Sequence, residues 1–410
     1  MLINTMTTRT INDPIHGIIT LTPRMCQIID TPEFQRLHRL RQLGATYLVY
    51  PSATHTRFEH SIGVSHLAKI MLNALRHNNP DLGITDDMIE LYQIAGLIHD
   101  IGHGPFSHLY DDVILNPEEL KHEDRGIIIL KEMIKKYNID LNPRAVEFIV
   151  ELIEPTNKND WKFQIISNKY CSIDVDKIDY IQRDSFHLGF GINQTFERLL
   201  TMCDVKCCTD ENMNSVLCWP EKLQDEVMAL FETRYRLHKR VYCHHTVKSL
   251  EIIINKILMR IKDTSQLNLE DLYDDIIWFP FGDKVIKELQ RKLSFRLIPK
   301  LIGEKTIKIC NSPDSVNTEN DAILAVSKFL DDEKVKNYGL MCVKIGFISG
   351  NGANPLINVP YFKKNDTFAH KIVEYSSFMA PKNCQEYIYR MYTDEENIEK
   401  ARLIWNSIMK

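Results

Sequence analysis

Eight of the 15 histidines fall between His55 and His122, among acids, arginines and glycines rather than along an apolar stripe. Within this stretch, His99-Asp100-Ile101-Gly102-His103-Gly104-Pro105-Phe106-Ser107-His108 sets an imidazole beside a carboxylate where a helical pattern runs into Gly and Pro. Neighbours on a helix point about 100° apart, yet at a frayed end both can turn toward one ion. Imidazole nitrogen and carboxylate oxygen together suit Fe, Mn, Zn or Ni, with the neutral ring as the nitrogen donor. A lone His-Asp pair is more often a hydrogen-bonded surface pair, so its company matters. Arg57-Phe58-Glu59-His60-Ser61 adds an imidazole beside an arginine suited to phosphate, and Asp174-Val175-Asp176-Lys177-Ile178-Asp179-Tyr180 adds carboxylates beside a lysine. Arg234, His238 and Tyr242 recur at four-residue spacing, as do Asp176, Tyr180 and Asp184, so each set lines one helical face.

These residues need elements to hold them, and the pattern is mainly helical. Acids at Asp86 and Asp87, followed by Met88, Leu91, Ile94, Ala95, Leu97, Ile98 and Ile101, predict a helix over Thr85 to Ile101 that stops at Gly102, Gly104 and Pro105. Further helices are predicted over Phe34 to Gly44, His60 to Arg76, His122 to Lys136, Val175 to Asp184 and Leu223 to Ile261. Past Lys292 the pattern changes to short Val-, Ile- and Phe-rich runs, Thr306 to Cys310, Tyr338 to Ile348 and Leu356 to Phe362, which predict strands. A capping box of Thr393 and Glu396 predicts a last helix through Ile398, Ala401, Trp405 and Ile408. The fold class expected is mainly α: a helical core over residues 1–291 and a smaller C-terminal α+β lobe over residues 292–410.

Composition bounds the rest. The 410 residues carry 50 Lys plus Arg against 55 Asp plus Glu, a net charge of -5, so no global charge drives the chain onto nucleic acid or an anionic membrane. Ten cysteines are scattered from Cys26 to Cys384 without the dense framework of a small secreted scaffold, which predicts reduced thiols and an intracellular setting, cytoplasmic or nuclear. Cys203, Cys207, Cys208 and Cys218 lack the repeated two-residue spacing of a zinc site and flank a polar hairpin turn over Thr209 to Ser215. No apolar run approaches the ~20 residues of a spanning helix.

With Asn12-Asp13-Pro14-Ile15-His16-Gly17, Thr31 to Leu37, Gln42-Leu43-Gly44 and Thr233-Arg234 through His238 to Tyr242, these motifs form an ordered set. It resembles the HD phosphohydrolase superfamily, and within it the deoxynucleoside triphosphate triphosphohydrolases of the sterile-alpha-motif and HD-domain type. The match runs from about residue 9 to residue 304 and continues more loosely to the C-terminus, with no sterile-alpha-motif domain expected ahead of Arg9. The resemblance implies metal ligands His60, His99, Asp100 and Asp176 and a divalent transition metal, Fe, Mn or Zn, with Mg in addition. It implies attack of water on the α-phosphorus of a dNTP, yielding deoxynucleoside and triphosphate, with the metal lowering the pKa of the water. His108 is implied as proton donor to the leaving oxygen, and His103, Asp111 and His122 as support for water and phosphate. On the residues alone, His122 beside Glu123 at a helix start is a capping or pairing group.

The resemblance further places Arg57, Lys177 and Arg234 on the phosphates, Tyr180 and Leu43 under the deoxyribose, Gln42 and Asp184 on its 3′ hydroxyl, and His238 and Tyr242 in the same cleft with Tyr242 toward the base. Cys243 stands where the family has Gln. Relatives form nucleotide-bridged tetramers, which implies a homo-oligomer, dimer or tetramer, and a GTP or dNTP activator. Asn12, Asp30 and Gln35 match guanine-reading positions, and Arg9, Arg198, Lys222, His244, Arg296, Lys300 and Lys364 match bridging basic ones. His38 replaces an Arg whose fork an imidazole cannot reproduce, and Pro220 and Glu226 replace a basic and an amide residue. Two other functions fit the same residues: another HD nucleotide phosphohydrolase, or a sensor of nucleotide or single strands without turnover.

Overall fold

The computed structural model describes residues 7–107, 109–111, 120–191, 196–209, 214–265, 267, 272–310, 339–346, 355–371, 383–393 and 398–408. The chain opens with a hairpin, β1 (Arg9–Asp13) and β2 (Gly17–Leu21), with Asp13 opposite Gly17. Its turn is built by Asp13, whose Oδ1 accepts from the backbone N–H of Ile15 at 2.8 Å and of His16 at 2.9 Å. Gly17 completes the reversal at φ 70°, a left-handed angle that favours glycine. The strands leave little trace in the sequence, because five-residue strands that bury only one or two side chains each carry almost no alternation.

Two short helices, α1 (Pro23–Ile29) and α2 (Pro32–Gln35), each start with a Thr cap and a Pro. The predicted helix over Phe34 to Gly44 does not persist. It breaks into α2, a 3-10 turn at Arg36–Arg39 and another at Gly44–Leu48, because Leu40 is extended and Arg41 forms a β-bridge with Thr56. The core then assembles from α3 (Arg57–Asn78), α4 (Asp86–Ile98), α5 (His122–Tyr137), α6 (Pro143–Ile153) and α7 (Val175–Leu188), with α3 packed on α4 and α7 and α4 on α6. Close approach of α3 and α4 requires Gly96: a Cβ there would lie 2.9 Å from the Ser65 backbone. Thr85 caps α4 by accepting from the Met88 N–H, with Asp86 and Asp87 in the first turn.

After α8 (Glu197–Thr201), β3 (Asp204–Cys208) and β4 (Ser215–Pro220) pair antiparallel; of the polar turn expected between them, residues 210–213 lie outside the described residues. The predicted helix over Leu223 to Ile261 is interrupted: α9 (Gln224–Leu237) passes through a π-helical turn at His238–Tyr242 into α10 (His245–Thr264). Then come α11 (Lys284–Ser294), β5 (Lys300–Cys310), β6 (Gly339–Gly346), β7 (Pro360–Phe362), β8 (Phe368–Lys371), β9 (Asn383–Thr393) and α12 (Ile398–Ile408). β5, β9 and β6 form an antiparallel sheet in that order, while β3, β4, β7 and β8 close into a small barrel. Glu396 of the expected capping box lies outside the described residues.

The chain divides into two compact units, one of Met1–Thr233, Asn268–Ile276 and Pro355–Glu374, the other of Arg234–Leu267, Ile277–Asn354 and Tyr375–Lys410. This division differs from a single boundary at residue 291. Helix α10 packs on α11 and β5, so both helices go with the sheet, whereas β7 and β8 return to pair with β4 and β3. Among the described residues no helix is long and apolar enough to cross a membrane. Every cysteine with a described side chain is a free thiol.

Candidate active site

In the first unit, Arg57 and His60 lie in the first turn of α3, His99 caps the C-terminus of α4 with Asp100 just after it, and Asp176 lies in the first turn of α7. The Nε2 atoms of His60 and His99 are 3.3 Å apart, and Asp176 Oδ1 is 3.1 Å from the first and 3.7 Å from the second. Asp100 offers Oδ2 at 3.7 Å from His60 Nε2 and Oδ1 at 3.5 Å from His99 Nε2. Donors at right angles around one ion with bonds of ~2.1 Å would lie about 3 Å apart, so this set fits a single small divalent cation. Among the described residues His60, His99 and Asp176 form one of two groups able to hold a metal, and the cysteines contribute to neither.

Both rings present the correct nitrogen. His99 Nδ1–H donates to the Gly96 carbonyl at 2.8 Å and His60 Nδ1–H to Asp179 Oδ2 at 2.8 Å, which leaves each Nε2 lone pair facing the centre. Burial disfavours the His60 cation, but hydrogen bonds to Asp176 and Asp179 outweigh it and push the imidazole up to about 10, so a cation bound here would take the place of the proton on Nε2. Burial likewise opposes ionisation of Asp100, yet the Arg57 guanidinium beside it holds the carboxyl well below the usual range. Arg57 forms an ion pair with Asp100 and donates through Nε to Ser107 Oγ at 2.9 Å.

The second metal-capable group is His103, Asp111 and His122. The rings of His103 and His122 stack at 3.9 Å, and His122 Nδ1 lies 2.6 Å from Asp111 Oδ2. Arg125 donates to the other oxygen of Asp111 at 2.6 Å. His103 Nε2 is 3.3 Å from Asp100 Oδ1, so the two groups are contiguous. Burial, reinforced by Arg57, holds the His103 pKa well below its ordinary value, which keeps the ring neutral. His108 lies outside the described residues. Before it, Phe106 and Ser107 adopt left-handed φ of 60° and 55°. Asp274, which the sequence did not single out, clamps this turn: Oδ1 accepts from the Phe106 N–H at 2.7 Å and Oδ2 from the Arg41 N–H at 2.8 Å.

Lys177 donates to Asp174 at 2.8 Å, while Asp174 also caps α7. The Tyr180 ring stands edge-on to His60 at 6.5 Å. Asp184 Oδ1 is bonded to His55 at 2.7 Å, and the Gln42 N–H donates to the His55 carbonyl. Leu43 precedes the 3-10 turn at Gly44. Gln42 Oε1 is buried and has no hydrogen-bond partner among the described residues, as befits a group that meets a ligand. In the second unit, Arg234 donates to the Gly346 carbonyl at 3.0 Å, and the His238 and Tyr242 rings meet edge-on at 4.8 Å.

The HD domain family model matches residues 57–184, the stretch that carries both metal-capable groups. The chain is 30% identical to the deoxynucleoside triphosphate triphosphohydrolase SAMHD1 of Danio rerio, over 98% of this chain and 74% of that protein. It is 31% identical to the SAMHD1 homolog of Dictyostelium discoideum, over 98% of this chain and 80% of that protein. A putative HD domain-containing protein of Acanthamoeba polyphaga mimivirus is 38% identical over 59% of this chain and 56% of that protein. The chain belongs to the SAMHD1 family.

The positions that the resemblance matches to regulatory residues lie on several elements of both units. Arg9 forms an ion pair with Asp30 at 2.5 Å, Gln35 donates to the Ile29 carbonyl, and Asn12 sits in β1 opposite Ile18. Lys222 and Lys364 line one pocket of about 760 Å³ together with Lys363 and Pro220. Arg198 is bonded to Glu226. His244 caps α10, Arg296 has a left-handed φ of 58° and Lys300 starts β5. The His38 ring stacks on Phe58 at 3.5 Å, and desolvation lowers its pKa, so it presents no fixed cation at neutral pH.

Proposed function

We propose that this chain hydrolyses dNTPs at the α-phosphorus, releasing deoxynucleoside and intact triphosphate, with His60, His99, Asp100 and Asp176 holding a divalent Fe, Mn or Zn ion and Mg accompanying the triphosphate. The observation that carries this reading is the convergence of two Nε2 lone pairs and two carboxylates within 3.1 to 3.7 Å. When bound, the ion supplies Lewis-acid charge that acidifies water and polarises a phosphoryl oxygen. Around it the protein's own groups divide the work. Neutral His103, stacked on His122 and backed by Asp111, orients water and phosphate, and Arg57 and Lys177 supply fixed positive charge for phosphate oxygens. Gln42 and Asp184 take the 3′ hydroxyl, and Tyr180 and Leu43 pack against C2′ and so exclude a ribose hydroxyl. The P–O5′ bond breaks as the P–O bond to water forms, and the leaving 5′ oxygen takes a proton, which the family resemblance assigns to His108.

We assign Lys222 and Lys364 to phosphate binding at a regulatory site of a homo-oligomer, dimer or tetramer. Because His38 carries no guanidinium and Glu226 neutralises Arg198, activation does not depend on a separate guanine nucleotide. The test is ion-pair chromatography of each dNTP, alone and with GTP, after incubation with Mn²⁺-loaded protein. Triphosphate is expected from single dNTPs without GTP. Absence of triphosphate from every mixture refutes the hydrolase, and turnover only with GTP refutes the activator reading alone.

A further inference from the structure

Behind the metal-capable group lies a buried network that the reaction scheme does not use. Asp179, fully buried on α7, accepts on Oδ2 from His60 Nδ1–H at 2.8 Å and on Oδ1 from His16 Nε2–H at 2.6 Å. Arg183, one turn further along α7 and also fully buried, forks onto both oxygens at 2.9 Å. Its remaining nitrogen donates to Asp13 Oδ2 at 2.9 Å, while Asp13 Oδ1 holds the backbone of the hairpin turn that carries His16. One carboxylate therefore receives the metal-facing helix α3 through His60 and the hairpin through His16, and every lone pair of that carboxylate has a partner.

We infer that His16 is a positioning residue for His60: by donating to Asp179 it fixes the carboxylate that holds His60 in the tautomer and orientation needed for metal binding, and so joins the β1–β2 hairpin mechanically to the metal centre. A carboxylate that accepts an imidazole N–H both orients the ring and makes its other nitrogen a better donor, and loss of such support typically weakens metal binding about 10–100-fold. Without His16, Asp179 keeps the Arg183 fork but loses the donor that opposes it from the hairpin side, so it rotates toward Arg183 and draws away from His60. The hairpin also carries Arg9 and Asn12, so a displacement of β1 reaches His60 through His16 and Asp179.

This inference rests on the assignment of His60 as a metal ligand, and the experiment separates the two. Mn²⁺ binding to metal-stripped full-length protein is measured by competition with a fluorescent chelator for the wild type, H16F, H16Q and H99A, along with kcat and KM. H16F keeps a ring against His66, whose centroid lies 5.7 Å from that of His16, but removes the donor; H16Q keeps an amide N–H in a similar place and removes the ring. The expected result is Mn²⁺ affinity lowered 10–100-fold in H16F and restored to within about threefold of wild type in H16Q, with kcat following metal affinity and KM little changed. Metal-stripped H16F should melt close to metal-stripped wild type. Affinity that survives in H16F, or is lost equally in both variants, overturns the positioning role. Wild-type Mn²⁺ affinity in H99A would instead overturn the ligand assignment itself.

Discussion

Asp274 shows how much one side chain can hold. Its two oxygens take the N–H groups of Phe106 and Arg41, and so fasten the left-handed turn before residue 108 to the segment leading into Gln42 and Leu43. Burial pushes its carboxyl up to about 6, while the Phe106 and Arg41 backbone donors pull the other way. A carboxyl raised in the folded state binds its proton more tightly than in the unfolded chain. Its stabilising contribution is therefore complete below about pH 4 and is lost as the pH rises through 6; a shift of about two units corresponds to ~3 kcal/mol at most. Asp274→Asn should remove this dependence from urea midpoints measured between pH 4 and 7. Because the amide keeps one acceptor, stability should also fall by about 1–3 kcal/mol at low pH. The cluster of His60, His99, Asp100 and Asp176 was anticipated through the family resemblance, because each residue lies in a short motif that can be matched locally. Asp274 and Asp179 were not: Asp274 is 168 positions from Phe106, and Asp179 is one of three acids between Asp174 and Tyr180.

At the scale of elements, the approach of α5 to the turn after α4 decides whether the two metal-capable groups meet. A Cβ on Gly102 would lie 2.0 Å from the His122 carbonyl oxygen and 2.5 Å from the Gly126 nitrogen, both backbone atoms that cannot rotate aside. Gly102→Ala should displace the start of α5 and separate His122 from His103. Steady-state kinetics should show kcat reduced at least about tenfold, while elemental analysis finds the metal content little changed. Helices α3, α4, α5 and α7 were readable because each carries a long helical period, although α3 starts three residues ahead of the predicted His60. The break at Leu40 and the π-helical turn at His238–Tyr242 were not, since local propensity favours helix at both and the chain departs from it for tertiary reasons. At the second, the Cys243 N–H reaches back five residues to the His238 carbonyl at 2.9 Å, a wider turn than periodicity anticipates.

For the whole molecule, an ion held at the metal-capable centre should add stability as well as chemistry. His60 is 1% and Asp100 7% exposed, and with Asp176 and His99 they crowd charge into a space where water cannot screen it well. A cation that binds only the folded chain stabilises it by about 2.7 kcal/mol at one hundred times its dissociation constant. Thermal melting of chelator-treated protein should therefore shift upward by several degrees with Mn²⁺, and H99A should abolish the shift. An unchanged melting temperature in the wild type would show that these donors do not bind the ion.

The small barrel has a bearing on how the protein is made. β3 and β4 pair with each other over 204–220, but their parallel partners β8 and β7 lie at 368–371 and 360–362. On a ribosome, the two early strands emerge roughly 140 to 160 residues before the segments that cover their open sides, which at about 5–20 residues per second is a wait of many seconds. During that interval their backbone edges are exposed to other nascent chains or to a chaperone. A fragment ending at residue 291 never leaves that state, so genetic dissection of this chain must carry residues 355–371 along with the histidine-rich core.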